Sequence, residues 1–508
     1  MSVQVVWFKR DLRTFDHEAL FRACEAGPTV CLYVIEPEYW RLKDTSNRQW
    51  LFIRESLIDL SEQLEMLGAR LVVHQGSVLD SLKCFKEQFG AITLHSHEET
   101  GNLWTFDRDK RVAQWCREHQ CAWHEYAQNG VFRPLARRGS RFKEHWDQWA
   151  KKTMFPQPSQ PSFVAGMSGL LQAQWPTEVA ADPYPCPGRQ RGGRKSGLSI
   201  LGSFLNDRGI AYRGSISSPL SAESGCSRLS AYIAYGCVSL REIAQRVTSA
   251  QSQALSIQWR KSLAAYSTRL WWHCYFIQTL ENTPSMEDYP LVPEMAFLKR
   301  PFDQEKFDAW RNGQTGWPLV DACMRYLHHH GWINFRMRAM LVSAATYSLS
   351  LPWRPVAHWL AQLFVDFEPG IHYPQVQMQS GMAGGTILRV YNPVTQARTL
   401  DASGIFVKTW VPELRNVSQM WIFEPWKMTP NLHRQVGWSH EELYRSPQVD
   451  FEVVHRQAKA EISELRGAHD IAPARGFRER NATGGKRSTL VKAEKTKSAK
   501  PPTQMTLF

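Results

Sequence analysis

Several features are missing from this 508-residue sequence, and each absence excludes a class of protein. No two of the ten cysteines form a CxxC pair and none lies beyond Cys323, which argues against a disulfide framework and against a C-terminal metal or iron–sulfur cluster. No apolar run reaches the roughly 18 residues that a membrane-spanning helix needs, so we expect no contact with a membrane interior. The first basic residues follow an apolar stretch, the reverse of a secretory signal, and we therefore expect a cytoplasmic protein.

Acidic residues are in deficit, because 48 Asp and Glu stand against 61 Lys and Arg and leave a formal net charge of +13. A basic protein suits a polyanionic partner, and nucleic acid is the first candidate. Residues 471–508 hold nine of the basic residues and only two acidic ones, so a solvated basic tail is the alternative explanation. Tryptophan, by contrast, is abundant, with 21 residues.

Residues 1–127 alternate short apolar runs with helical patterns, which is typical of a parallel sheet with helical crossovers. No G-x-G-x-x-G follows the first run, so a standard dinucleotide-binding fingerprint is absent. We predict a Rossmann-like α/β domain in which Asp11 and Arg13 either line a pocket at the carboxyl edge of the sheet or lie in a solvated loop. The predicted strands are 3–8, 29–35, 70–74 and 91–95, and the predicted helices are 18–26, 48–67 and 77–89.

The rest of the chain divides into three parts by composition. Residues 128–196 are rich in turn-forming residues and are predicted to form a long interdomain linker. From 197 to 470 apolar residues recur at helical spacing, which predicts an all-helical domain large enough to enclose a cofactor. Residues 471–508 are predicted to form a disordered basic tail. The predicted fold class is therefore α/β plus all-α, with the clearest helical patterns at 229–235, 264–280, 319–330, 336–349 and 357–364.

A short segment with hydroxyl groups and an arginine opens one of these helices. It consists of Cys226, Ser227, Arg228, Leu229 and Ser230, and it follows a loop rich in Ser, Pro and Gly. Free backbone N–H groups at a helix start, together with serine hydroxyls and an arginine, suit a phosphate or pyrophosphate. Serine here is also an ordinary helix N-cap, so both interpretations stay open.

Two arginines, Arg336 and Arg338, lie in an otherwise apolar helical segment. A buried arginine needs an anionic partner, and Asp366 and Glu368 follow the next predicted helix. The spacing is equally consistent with a structural salt bridge and with a ligand contact.

An aromatic cluster over residues 266–276 contains Trp272, with His273 beside it. Aromatic residues of a helix usually belong to a core. At a cavity mouth in a basic protein, a tryptophan can instead stack on an exposed base.

Six segments in this order resemble the photolyase/cryptochrome flavoprotein family. The first, VVWFKRDLRTFDHEAL, is similar to the family's first strand and turn, and the second is similar to its flavin-phosphate loop. The third resembles the family's most recognisable helix. Together the six segments extend the resemblance over residues 3–465. The matching segments are 5–20, 227–230, 313–325, 331–338, 391–393 and 410–414.

The resemblance implies a helical domain that encloses FAD and an α/β domain that in some members holds an antenna chromophore. Arg338 is expected to pair with Asp366 beside the isoalloxazine, and His372 to face the flavin N5. The folate or deazaflavin type of antenna is not identified by any motif. The expected FAD-binding residues are Tyr212, Cys226, Ser227, Arg228, Leu229, Ser230, Tyr266, His273, Arg338, Asp366, Glu368 and His372.

The resemblance also implies UV-damaged DNA as the partner, with a pyrimidine dimer flipped into the cavity, because photolyases are base-flipping enzymes. The chemistry is that of the cofactor: reduced flavin, excited by blue light, passes one electron into the dimer. The expected catalytic residues are Trp272, Trp353 and His372, with no metal. The expected DNA-binding residues are Arg269, Trp272, Arg336, Met378 and Gln396.

One departure from the family pattern interrupts the usual electron-transfer chain of tryptophans. Val376 stands where the proximal tryptophan is expected, whereas Trp353 keeps the middle position. Photoreduction of the flavin would therefore need Tyr373, Tyr391 or another tryptophan.

Three further departures concern the cavity itself. His372 replaces an asparagine, Met378 replaces an aromatic residue that helps to hold the lesion, and Arg269 replaces a glutamate that hydrogen-bonds the damaged bases. The fold and the FAD site are expected to survive these changes.

The sequence ends in QMTLF, which resembles the peptide by which bacterial DNA-processing proteins dock on the replicative sliding clamp. Leu507 and Phe508 could fill an apolar groove while Gln504 bonds at its rim. A chance match is the alternative.

Two functions follow from these observations. We favour a light-driven photolyase that splits cyclobutane pyrimidine dimers, supported by the net charge, Trp272, Gln396 and the clamp-like end. The alternative is a cryptochrome-type blue-light receptor that binds FAD without repair, supported by Arg269, Met378 and the lost tryptophan. A monomer is expected.

Deletion of residues 504–508 is predicted to abolish binding to the sliding clamp, because the apolar anchor is lost, while light-driven repair in vitro continues. A pull-down with purified clamp and a repair assay measure the two effects. Equal clamp retention by the full-length and truncated proteins would contradict the docking interpretation.

Overall fold

Five parallel strands form the core of the N-terminal domain in a computed structural model of the protein. They are β1 (Val3–Phe8), β2 (Thr29–Ile35), β3 (Leu71–Gln75), β4 (Ile92–His97) and β5 (Ala122–Tyr126). Their order in the sheet is β3-β2-β1-β4-β5, so the direction of winding reverses between β1 and β4. In sheets of this kind, ligands bind at the carboxyl ends of the strands beside such a reversal. The structure describes residues 2–133, 142–159, 161–164, 175–182, 184–383, 390–438, 444–469 and 471.

The register of the central strand follows from its composition. Val5 lies opposite Val30 on β2 and opposite Leu94 on β4, and all three side chains are buried. A strand covered by helices on both faces is apolar along its whole length, and this is why the run was recognisable in the sequence. The Rossmann-like parallel sheet and four of its strands are thus confirmed.

β5 was missed by the sequence analysis. Its residues, AWHEY, include no β-branched side chain, and most of them are partly or largely exposed. As an edge strand it needs only one neighbour, β4, and its side chains do not have to be apolar on both faces.

In the described residues after the sheet, the regular elements are helices, and the predicted helical character of the C-terminal part is confirmed. The helices of the α/β domain are α1 (Glu18–Ala26), α2 (Asn47–Met66), α3 (Val78–Phe89) and α4 (Leu103–Glu118). The helices that follow are α5 (Phe142–Lys151), α6 (Arg194–Asn206), α7 (Tyr212–Ser215), α8 (Ala222–Gly225), α9 (Ser230–Ala234), α10 (Leu240–Gln253), α11 (Ile257–Asn282), α12 (Gln304–Arg311), α13 (Pro318–His330), α14 (Phe335–Ser343), α15 (Trp353–Leu363), α16 (Pro369–Ser380), α17 (Pro393–Leu400), α18 (Ile405–Trp410), α19 (Pro430–Gln435) and α20 (Phe451–Ala468).

α11 and α16 pack closely against each other at the centre of the helical part. Gly370 on α16 faces Ile277 on α11, and a Cβ atom at position 370 would lie only 2.7 Å from the Cα atom of Ile277. A larger residue would therefore push the two helices apart. α16 was not predicted, because Pro374 interrupts its pattern, although Pro369 at its first turn is favourable for a helix start.

A buried arginine joins the two domains. Arg48, at the start of α2, donates to both carboxylate oxygens of Asp182 at 2.8 Å. Its Nη1 atom donates to the carbonyl oxygens of His328 and Leu363, each at 3.2 Å, at the ends of α13 and α15. The neighbouring Gln49 donates to the carbonyl oxygen of Ala361 at 2.8 Å. The start of α2 thus satisfies carbonyl groups that the two helices leave unpaired.

The domain boundaries at 127, 196 and 470 remain a prediction. Within 128–196 the structure contains α5, and Asp182 from the same segment is the partner of Arg48. The predicted tail, including the clamp-like end, lies outside the described residues except for Ile471. Among the described helices, none is both long and apolar enough to cross a membrane.

Substitution Arg48→Ala is predicted to lower the free energy of unfolding by about 3–5 kcal/mol, because it leaves a carboxylate and several carbonyl groups without their donor. Chemical denaturation measures the change. Lys83→Ala is the control, since its ion pair with Asp80 is solvent-exposed and should contribute less than about 1 kcal/mol. Equal losses in the two variants would contradict the role of Arg48.

Candidate functional site

A cavity of about 370 Å³ lies between α11, α14, α16 and the loop before α9. Its walls are mostly apolar, with a few polar groups, which is the usual character of a cofactor site. Most of the residues predicted from the sequence line it: Tyr212, Cys226, Ser227, Arg228, Ser230, Tyr266, Arg269, Trp272, His273, Arg338, Asp366, Glu368, His372 and Met378.

Four predicted residues are not part of this lining. Leu229 is fully buried in the core, and Trp353 is buried at the start of α15. The Arg336 guanidinium lies 5.5 Å from the centre of the Tyr391 ring, and Gln396 lies half-buried on α17. The roles predicted for these four residues stay predictions.

The loop before α9 holds a cation in an unusual environment. Arg228 has a positive φ of 60°, is 6 % exposed, and places its guanidinium 3.8 Å from the centre of the Trp332 ring. Its buried Nη1 atom and the Ser230 hydroxyl have no hydrogen-bond partner among the described residues. Burial lowers the pKa of Arg228. A buried arginine without a carboxylate partner is suited to an anionic ligand.

A second arginine, Arg208, supports this loop and was missed by the sequence analysis. It donates to the backbone carbonyl groups of Ser224, Cys226 and Ser227. With the carbonyl groups held in this way, the unpartnered Ser230 hydroxyl and the Nη1 atom of Arg228 remain for a ligand. No local motif points to Arg208, because its partners lie 16 to 19 residues further along the chain.

Arg338 and Asp366 form the ion pair that the sequence analysis expected. One Nη atom of Arg338 lies 2.8 and 3.1 Å from the two carboxylate oxygens, and Nε donates to the carbonyl oxygen of Ile333 at 2.8 Å. The guanidinium also lies 4.0 Å from the centre of the Phe364 ring. The pair is therefore held rigidly in the cavity wall.

Glu368 has a partner that the sequence analysis did not identify. Instead of Arg336 or Arg338, its carboxylate accepts from Arg10 of the α/β domain at 3.2 Å, and Arg10 also donates to the carbonyl oxygen of Phe367. Burial raises the pKa of Glu368 to about 7, although the charge of Arg10 acts in the opposite direction. The two residues are 358 positions apart, so their pairing could not be read from spacing.

α16 presents His372, Val376 and Met378 to the cavity. The Nε2 atom of His372 lies 2.8 Å from the carbonyl oxygen of Ala357, and a carbonyl can only accept, so Nε2 carries the proton. Burial lowers the pKa of His372 to about 4. His372 is therefore neutral at physiological pH, with Nδ1 as an acceptor.

A smaller cavity of about 40 Å³ lies at the carboxyl ends of β1 and β4, and Asp11 and Arg13 belong to its lining. Among the described residues, one group has ligand atoms close enough together to share a metal ion, and it consists of Asp11, His17 and His97. His17 Nδ1 accepts the backbone N–H of Leu20, so its Nε2 carries a proton and faces Asp11 at 3.0 Å. A protonated nitrogen has no lone pair for a metal, and within the cluster His97 Nδ1 is hydrogen-bonded to Asp11 at 2.7 Å.

The site lies in a part of the chain that matches a known protein family. The family described as DNA photolyase matches residues 4–161, and the FAD binding domain of DNA photolyase matches residues 266–464. The second match contains α14, α16 and all of α11 from residue 266 onwards, and these helices form most of the cavity wall.

Curated relatives carry two kinds of name. The deoxyribodipyrimidine photo-lyase of Vibrio cholerae is 28 % identical, over 84 % of this chain and 93 % of the relative. The cryptochrome DASH of Gloeobacter violaceus is 26 % identical, over 88 % of this chain and 93 % of the relative.

Solved structures share the fold over almost the whole chain. A Synechocystis cryptochrome superimposes with a TM-score of 0.80 at 23 % identity, covering 91 % of this chain and 99 % of the other. A class III photolyase from Agrobacterium tumefaciens superimposes with a TM-score of 0.77 at 22 % identity, covering 92 % of this chain and 98 % of the other.

The free energy of unfolding of the Glu368→Gln variant is predicted to rise relative to that of the wild type as the pH increases from 4.5 towards 7. The difference reaches up to about 3 kcal/mol. Because the folded protein raises the pKa of this carboxyl, Glu368 ionises in the unfolded chain at a lower pH than in the folded protein, so the wild type loses stability over this range. The amide does not ionise. Denaturant unfolding at a series of pH values measures the difference. A difference that stays constant over this range would contradict the raised pKa.

Proposed function

The chain belongs to the photolyase/cryptochrome family, and from that premise we propose that it is a light-driven, FAD-dependent DNA photolyase that splits cyclobutane pyrimidine dimers. The observation that carries the proposal is the cavity itself. It combines a buried, unpaired arginine at one end with a tryptophan, Trp272, in its wall.

The residues of the cavity fit FAD. Arg228, whose Nη1 atom has no partner in the described chain, and the Ser230 hydroxyl would hold the pyrophosphate. The Arg338–Asp366 pair and His372 would lie beside the isoalloxazine. When bound, FAD supplies the light-driven transfer of one electron.

The protein contributes position, electrostatics and exclusion of water. Arg338 keeps its orientation through Asp366 and the Ile333 carbonyl, so a positive charge stays in one place in the cavity wall. His372 offers a neutral Nδ1 acceptor, because its Nε2 proton is held by Ala357. The apolar lining keeps the dielectric constant low, which strengthens these interactions.

The lesion would enter beside Trp272 and stack on its ring, which contributes about 1–3 kcal/mol per base. Arg269 and Met378 line the same cavity, and Arg336 and Gln396 lie outside its lining. We propose that these residues contact the DNA strand. A basic chain, with a formal charge of +13, would add non-specific attraction to the phosphates.

The second candidate function is a cryptochrome-type blue-light receptor. Arg269 and Met378 favour it, because they occupy cavity positions where the repair members carry a glutamate and an aromatic residue. Val376, also in the lining, favours it as well. We place repair first because Trp272 is present in the cavity wall and the clamp-like end suits a DNA-processing protein.

A repair assay tests the proposal. The flavin is first reduced chemically, so that the result does not depend on the photoreduction route, and the protein is illuminated with dimer-containing DNA. Light-dependent loss of dimers is expected. Bound FAD without repair would favour the receptor instead.

The variant Trp272→Ala is predicted to keep FAD. Its preference for damaged over undamaged DNA is predicted to fall about tenfold or more, because the stacking surface is removed. Competition binding with damaged and undamaged DNA measures the preference. Trp421→Ala, which removes a tryptophan outside the cavity lining, is the matched control and should keep it. Unchanged discrimination in Trp272→Ala would contradict the role given to this residue.

A further inference from the structure

Three aromatic side chains on α11 contact one another, and we call them the α11 stack: Trp271 and Trp272, which are stacked, and Tyr275, which is edge-on to both. Trp272 lines the cavity, and the ring of Trp271 stacks on it with a centroid distance of 4.7 Å and an angle of 23°. Tyr275 meets both rings edge-on, at 5.3 Å from Trp272 and 6.1 Å from Trp271. The stack therefore begins in the cavity wall.

The spacing along the helix accounts for the two contacts of Tyr275, whereas Trp271 and Trp272 are adjacent in the sequence. Tyr275 follows Trp271 by four residues and Trp272 by three, and residues at these spacings share one face of a helix. The outer end of the stack reaches the surface, since Trp271 and Tyr275 are partly exposed. Tyr275 also contacts Phe142 on α5 at 5.6 Å, so its ring is held in place.

Among the described residues, the opposite wall of the cavity has no comparable group of aromatic side chains that could donate an electron. Val376 on α16 lines the cavity and has no aromatic ring, and Trp353 lies outside the lining. The tryptophans among the described lining residues are Trp272 and Trp332. Trp332 has the Arg228 guanidinium 3.8 Å from its ring centre, and this positive charge opposes the removal of an electron from the ring.

The two tyrosines of the lining are also poorly placed. Tyr212 and Tyr266 are buried and pack edge-on against Phe204, at 5.8 and 4.8 Å, inside the core. A tyrosine must release its phenolic proton when it is oxidised, and a buried tyrosine cannot release it to water. Tyr275, which is partly exposed, can.

We propose that the α11 stack is the route by which electrons reach the cavity for reduction of the flavin, in place of the route interrupted at Val376. The proposal rests on the proposed function, because it requires the flavin to be bound in the cavity. Under blue light, Trp272 gives one electron to the excited oxidised flavin and becomes a radical cation. Its stacked neighbour Trp271 shares the positive charge, which lowers the cost of forming it.

The charge then leaves the stack at its outer end. Tyr275 gives one electron to the tryptophan pair and one proton to water, and the two indoles return to their neutral state. A thiol reductant in solution gives one hydrogen atom to the Tyr275 radical, so that tyrosine is restored and a thiyl radical remains. One electron has then passed from the thiol to the cavity.

The test uses the double variant Trp271→Phe/Tyr275→Phe, in which both rings keep their packing but are much harder to oxidise. The full-length protein with oxidised flavin is illuminated with dithiothreitol in the absence of oxygen, and the loss of flavin absorbance is followed. Transient absorption records the tryptophan and tyrosine radicals. The double variant is expected to lose photoreduction and the tyrosine radical, and each single variant to be slower than the wild type.

Trp421→Phe is the matched control, because it changes a partly buried tryptophan outside the cavity lining and should photoreduce as the wild type does. Photoreduction at the wild-type rate in the double variant would overturn the proposal. So would its loss in Trp353→Phe with the α11 stack intact. Flavin content is measured first from the absorption spectrum, so a protein without flavin contradicts the proposed function, whereas a flavin-loaded double variant that photoreduces normally contradicts only the electron route.

Discussion

The guanidinium of Arg48 joins the α/β domain to the ends of two helices, α13 and α15, and α15 leads directly into a segment of the cavity wall. Arg48 is fully buried, and its donors are used by Asp182 and by carbonyl groups at the ends of α13 and α15. The C-terminal ends of helices carry partial negative charge, so a single cation can join two of them. The segment with Asp366 and Glu368 begins directly after α15. The α/β domain therefore fixes the start of this segment through Arg48 and reaches Glu368 through Arg10.

The charges in the cavity follow a simple division. Two carboxylates of the lining, Glu368 and Asp366, are paired with Arg10 of the α/β domain and with Arg338, and these pairs serve the structure of the wall. By contrast, neither Arg228 nor Arg269 forms an ion pair with a carboxylate among the described residues. Burying such groups costs free energy that a bound anion can recover, which is why the site is better suited to a phosphate-bearing cofactor than to a neutral one.

The replacement of an aromatic residue by Val376 need not isolate the cavity from the surface. Tyr275 lies three and four positions after Trp272 and Trp271 on α11 and contacts both rings, and Phe142 on α5 packs against it. The same tryptophan, Trp272, would then serve both the lesion and the electron route. Chemical reduction of the flavin separates these two roles, because it supplies the electrons without the stack.

The amino-acid sequence was sufficient to predict the local secondary structure and the motifs that line the site. Four strands and eight of the helices were predictable, because each follows from hydrophobic period, and the Arg338–Asp366 pair was expected from the family resemblance. The partner of Glu368, the support of the phosphate loop by Arg208, the edge strand β5 and the helix around Pro374 were decided only by the tertiary structure. Each of these depends on groups brought together from separate segments, and local spacing carries no information about where a distant segment packs.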